Sequence, residues 1–152
     1  MERSRIAGRG KPRPPQTFRY EKPAAQSGAK AIVSLCQTDI IRGAVQVVRE
    51  GGDNNLHSHT GMDGFWMVLS GRVRWHGPDG VIGEFGVHEG IVMPRNARYW
   101  FESVGTDPLE LLQVVAFDRG VRNERVDLGP RQRGRDAPPR VDRGAEFYIA
   151  AQ

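Results

Sequence analysis

The stretch GGDNNLHSHTGMDGFWMVLSG, residues 51–71, decides how this chain folds. It opens with a Gly, Asp and Asn loop (51–55), residue types that favour turns. Two histidines follow, His57 and His59, separated by one serine. The stretch closes with GFWMVLS (64–70), an apolar run ended by Gly71. A β-rich run bounded by turn residues reads as a strand. Residues two apart on a strand point to one face. The imidazoles of His57 and His59 are therefore expected to project together, close enough to bind one cation.

Short β-rich runs continue on both sides of this stretch. AIVSLC (31–36) and IIRGAVQVV (40–48) precede it. RVRWHG (72–77) and VIGEFG (81–86) follow it and flank Pro78-Asp79-Gly80, a good hairpin turn. IVMP, ARYWFES and LELLQVVAF (109–117) complete the set, and none of these runs keeps a helical period. Regular short strands of this kind predict an all-β sandwich or barrel over residues 31–118. Residues 1–30 read as an extended basic arm, because Pro12, Pro14, Pro15 and Pro23 disfavour helix. Residues 119–152 read as an irregular tail, rich in Arg, Gly and Pro, packing on the barrel or on a partner subunit. Its apolar end, EFYIAAQ (146–152), is a candidate docking patch.

The formal charge of +4 is unevenly spread. Residues 1–30 carry 8 basic and 2 acidic side chains, residues 31–117 carry 6 and 10, and residues 118–152 carry 8 and 6. The central body is acidic, and a Pro- and Gly-rich basic arm is usually solvated. No nucleic-acid reader motif follows the arm, so no nucleic-acid partner is expected. No apolar run approaches the roughly 18–20 residues that span a bilayer, so no membrane partner is expected. The basic N-terminus lacks the apolar stretch of a secretory signal. Cys36 is the only cysteine, which fits a reducing, cytoplasmic setting.

The stretch 51–71 resembles the first motif of the cupin superfamily: Gly, five residues, His-x-His, three or four residues, Glu, six residues, Gly. Gly51, His57, His59 and Gly71 match that spacing. The run from His88 through Pro94 and Asn96 to Tyr99 resembles the second motif, with Asn96 where positive φ is needed. The resemblance covers about residues 40–117. It implies an antiparallel double-stranded β-helix, or jelly-roll barrel. It also implies a mononuclear metal held by two His and a Glu from the first motif and a His from the second. Two of these positions depart from the family: Gly64 stands at the Glu position and Tyr99 at the final His position.

The resemblance makes His57 and His59 candidate ligands for one divalent transition metal per chain: Fe, Zn, Ni, Cu or Mn. Asp63 is a possible third ligand if the strand carries a bulge, and is otherwise a turn residue. Tyr99 is a candidate ligand as phenolate, or a catalytic acid or base. Trp66 shares the parity of Gly64, and Phe101 that of Tyr99, so both are candidate pocket-lining or core residues. Gln46 and Gln113 lie on apolar strands. Facing inward they need partners, since a buried unpaired amide costs roughly 1–3 kcal/mol. His76 and His88 sit near turns and are expected to be exposed. Trp100 and Phe101 put an aromatic on each face of one strand, so a cover over the outer face is expected, with a homodimer reached by residues 15–30 as its source.

Two functions follow from the resemblance. One is a small-molecule enzyme of dioxygenase, isomerase, lyase or cyclase type, its pocket inside the barrel and its metal on His57 and His59. The other is a non-catalytic cupin that binds a small organic ligand through a degenerate metal site. A metal-independent isomerase or cyclase using His57 or Tyr99 as base lies between them.

Overall fold

A computed structural model describes residues 10–24, 28–50 and 55–129, with the backbone pairing of 140–141. The loop 51–54 with Gly51, the start of the arm and the apolar patch 146–152 lie outside the described residues. The strands are β1 (Lys30–Gln37), β2 (Ile41–Val48), β3 (His57–His59), β4 (Met62–Ser70), β5 (Val73–Gly77), β6 (Gly80–Phe85), β7 (Gly90–Met93), β8 (Trp100–Ser103), β9 (Leu109–Phe117), β10 (Arg125–Asp127) and β11 (Arg140–Val141). No helix is present among the described residues.

One sheet runs β11-β1-β2-β9-β4-β7. A second face is built from β6-β5-β8 and from the pair β10-β3. A bridge between His57 and Tyr99, the residue before β8, joins those two groups. The fold is thus all-β, as the strand pattern predicts, and is the double-stranded β-helix that the resemblance implies.

Alternation decides which side chains meet inside. On β4, Met62, Gly64, Trp66 and Val68 are buried while Asp63 and Phe65 are exposed. On β9, Leu109, Leu111, Gln113 and Val115 are buried. Period-two alternation is the signature of a strand with one face on the core. Trp66, Trp75, Phe101, Leu109 and Leu111 belong to one apolar cluster between the sheets. Burial of each such side chain stabilises by about 1.5–3 kcal/mol.

β2 is buried on both faces. Its outward Val45 and Val47 pack with Ala31, and Tyr20 of the arm lies on that cluster. The Tyr20 hydroxyl donates to Glu110 at 2.5 Å. Burial, then the Glu110 carboxylate, push this phenol well above its ordinary range, so it keeps its proton. Gln16 pairs with the backbone of Gln37, and Arg13 with Asp39. The described part of the arm therefore lies along its own barrel.

The outward Trp100 is covered from within the chain. His76 stacks on it, ring centres 3.8 Å apart and 6° from parallel, and His76 Nε2 lies 3.2 Å from Glu102. His76 is accordingly half-buried, whereas His88 is exposed, with φ of 68°. Phe65 and Val92, cross-strand partners on β4 and β7, remain exposed on the outer face.

Candidate active site

Backbone pairing brings His57, His59 and Tyr99 together. The His57 N–H donates to the Tyr99 carbonyl at 3.1 Å, and the Tyr99 N–H to the His57 carbonyl at 3.0 Å. Residues paired this way project to one face, and His59 follows two residues on. The ring of His57 lies 4.5 Å from that of Tyr99 and 5.2 Å from that of His59. All three residues are buried. The Tyr99 ring lies 5.6 Å from Trp75, which lies 5.2 Å from Trp66 and 4.9 Å from Phe101. One wall of the interior is thus polar at the histidines and aromatic below them.

His57 Nδ1 stands 2.9 Å from the Asn55 carbonyl oxygen. A carbonyl only accepts, so Nδ1 carries the proton and Nε2 is left as the basic nitrogen. Asn55 is itself held by the tail. Its amide donates to Asp127 and to the Gly129 carbonyl, both at 3.0 Å, and its oxygen accepts from Arg125 at 2.9 Å. β10 pairs with β3, Arg125 opposite His59 and Asp127 opposite His57. Sequence reading missed Asn55, Arg125 and Asp127, because a three-residue strand supplied from a tail leaves no periodic signal. Asn55→Ala removes three hydrogen bonds of a buried residue. It should lower stability by about 1–3 kcal/mol, read as a lower urea midpoint.

The other wall contributes Gly64, Trp66, Gln113, Gln46 and Arg42. Gln46 donates to Gln113 at 3.1 Å, so the two amides satisfy each other in part. Arg42 is buried, shares the inward parity of Ala44 and Gln46, and lies with its guanidinium 4.7 Å from the Phe117 ring centre. Strand register sets Arg42 and Gly64 in one row, on either side of Val115. Lys30 adds a second cation, its Nζ 5.2 Å from the Phe101 ring centre. No Asp or Glu is buried among the described residues.

Residues 44–115 match the family model described as a cupin domain. This barrel is a cupin. No curated protein matches the chain. The cupin is similar to a Klebsiella pneumoniae uncharacterized conserved protein with a double-stranded β-helix domain, at 17% identity and a TM-score of 0.60, covering 73% of this chain and 87% of that one. It is similar to KdgF from Halomonas sp. at 11% identity and a TM-score of 0.58, covering 70% and 96%. It is also similar to Streptomyces PAC13 with uridine at 15% identity and a TM-score of 0.55, covering 77% and 88%. A further Pac13 structure, similar at 17% identity and a TM-score of 0.51, is described as a nucleoside dehydratase. At such identities the likeness shows the fold.

The cupin metal positions are only half kept. Asp63 does not join the pair. It projects from the outer face of β4, accepts from the Arg95 N–H at 2.8 Å and lies 3.6 Å from the Arg95 guanidinium. No bulge turns it inward, because β4 keeps register with β9 from Met62 to Val68. Asp63 instead anchors the turn containing Pro94 and Asn96, where Asn96 adopts φ of 65° and its N–H donates to the His59 carbonyl. At the Glu position, Gly64 leaves its space to Trp66: a Cβ there would stand 3.0 Å from the indole Nε1. An N–H edge is a donor and cannot ligate.

Among the described residues no group of three His, Cys, Asp or Glu stands together. Two neutral imidazoles bring no negative charge, and the buried ionisable side chain in the row of Gly64 is the cation Arg42. A divalent ion in such surroundings is poorly compensated. The donor set does not fit the mononuclear centre of the family.

Proposed function

We propose that this cupin is a small-molecule enzyme that moves a proton within its barrel, with His57 as base and Tyr99 as the second proton-handling group. The observation that carries this reading is the bond from His57 Nδ1 to the Asn55 carbonyl, which leaves Nε2 as the basic nitrogen of a ring 4.5 Å from that of Tyr99. A C–H proton next to a substrate carbonyl passes to Nε2. From the imidazolium, directly or through the phenol, it returns to another atom of the substrate, which completes an isomerisation, or to a leaving group whose bond to the β-carbon breaks as the C=C bond forms, which completes a lyase-type elimination; neither needs an oxidant. Trp66, Trp75 and Phe101 pack together beside the histidines and keep water from that side. Fold likeness to Pac13, described as a nucleoside dehydratase, supports a small-molecule enzyme.

Solvent deuterium exchange tests the reading. The protein should speed exchange at the carbon beside the carbonyl of phenylpyruvate or phenylacetone above the buffer rate. Saturable binding of these probes with no added exchange would favour the alternative, a cupin that binds a small ligand without chemistry.

The mismatch of donors makes a second expectation. Protein purified without chelators, then loaded with Fe, Zn, Ni, Cu or Mn and desalted, should hold well below one ion per chain. A stoichiometric ion that disappears in the His57→Ala/His59→Ala variant would restore the metal reading.

A further inference from the structure

We propose that the tail strand β10 sets the working tautomer of His57, with Arg125 and Asp127 as positioning residues that act through Asn55. The chemical consequence rests on the reading of His57 as base; the tautomer itself does not.

Arg125, Asp127 and Asn55 close a ring of hydrogen bonds. Asp127 Oδ1 accepts from the Asn55 amide at 3.0 Å and from Arg125 Nε at 2.9 Å, while the Arg125 guanidinium donates to Asn55 Oδ1 at 2.9 Å. A guanidinium only donates and a carboxylate only accepts, so the ring fixes which way the Asn55 amide faces. The Arg125 side chain is 16% exposed, and partial withdrawal from water strengthens its charged bonds. Arg125 stands opposite His59 and Asp127 opposite His57 in the ladder, so both share the face of the histidines. The grip brackets one peptide unit, that between Asn55 and Leu56. On one side of it the Asn55 side chain is held by Arg125, Asp127 and the Gly129 carbonyl. On the other side the Leu56 carbonyl accepts from the Leu128 N–H at 2.9 Å. The carbonyl between these anchors is the one that accepts from His57 Nδ1 at 2.9 Å. It cannot turn from the ring while residues 125–129 are docked. Neutral histidine in water prefers its other tautomer, with the proton on Nε2. The strand pairing of His57 engages main-chain atoms and does not choose between the two. The choice falls to the Asn55 carbonyl, and its aim to the tail.

The test follows the His57 ring nitrogens of the isotope-labelled full chain by long-range proton–nitrogen NMR, at about pH 8.5, well above the ordinary imidazole range. His57→Gln assigns the signals by their loss. The native protein should show Nδ1 protonated and Nε2 bare. In Arg125→Met/Asp127→Ala the two nitrogen shifts should move toward each other as the Nε2–H tautomer gains population. Deuterium exchange of phenylpyruvate should then fall about two- to fivefold, in proportion to the competent tautomer lost. Asp127→Asn keeps an acceptor for Asn55 and Arg125 and should keep the native tautomer. Thr60→Val is the structural control, because Thr60 ties the tail elsewhere: its Oγ1 donates to the Arg122 carbonyl and accepts from the Glu124 N–H, both at 2.9 Å. It should lower the urea midpoint and leave the tautomer native. If the double variant does not fold, Asp127→Ala serves, since Asp127 is 42% exposed, and should move the tautomer the same way by less. Native protein with the proton on Nε2 overturns the proposal. So does a native tautomer in the folded tail variant, or an equal shift in Thr60→Val. The tautomer shift as described, with no deuterium exchange in any probe, keeps this inference and removes the proton-transfer reading.

Discussion

Replacing His57 by Gln is expected to lower enzyme-catalysed proton exchange by roughly a hundred- to ten-thousand-fold, the usual contribution of a positioned general base. Glutamine keeps a polar side chain on β3 but has no basic nitrogen. The backbone pairing of His57 with Tyr99 involves main-chain atoms only, so it survives the substitution. The loss should therefore fall on kcat, with probe affinity and the urea midpoint little changed. Tyr99→Phe is the companion variant. It keeps the ring against Trp75 and removes only the hydroxyl. If the phenol relays the proton, kcat falls; if it only packs, kcat stays. A His57→Gln protein that exchanges protons at the unaltered rate would eliminate His57 as the base.

Much of this site was legible because strands alternate. The pairing of His57 with His59, the inward parity of Trp66 and of Phe101, and the inward Gln46 and Gln113 all follow from a period of two, and the strand register places them so. The same rule, continued along IRGAVQVV, puts Arg42 on the face of Gln46. An isolated charge near a strand end reads as solvated, so its burial became visible only once Phe117 and the row of Gly64 stood beside it. Asp63 shows the opposite failure. The family spacing allows either of two gaps after His59, and a carboxylate one residue from the expected Glu invites a bulge. β4 has regular pairing there, and the turn at residues 94–96 uses the carboxylate for its own N–H. The hold of Arg125 and Asp127 on Asn55 was not legible. It links residues about seventy positions apart through side chains that look like ordinary surface charges.

The largest stability loss from a single methyl group is expected at Gly90, which looks harmless by exposure. Gly90 opens β7 opposite Met67 on β4. A Cβ built there would stand 1.9 Å from the Trp66 carbonyl oxygen and 2.9 Å from its carbon. Those are backbone atoms of a central strand, so no rotamer change relieves the clash. β7 must separate from β4, which weakens the bonds from Val68 N–H to the Glu89 carbonyl and from His88 N–H to the Val68 carbonyl. Gly90→Ala should therefore cost about 3 kcal/mol or more, the upper range for one substitution. Gly105→Ala is the contrast. Gly105 has φ of 88° and open space around its Cβ position, so alanine there meets only the left-handed penalty of about 1–2 kcal/mol. Urea midpoints of the two variants separate a packing clash from a conformational preference. Because the displaced carbonyl belongs to Trp66, Gly90→Ala should also shift the Trp66 indole N–H resonance, whereas Gly105→Ala should leave it unchanged. Equal midpoints for the two variants would mean that β7 yields without cost, and that the position of Trp66 does not depend on the close approach at Gly90.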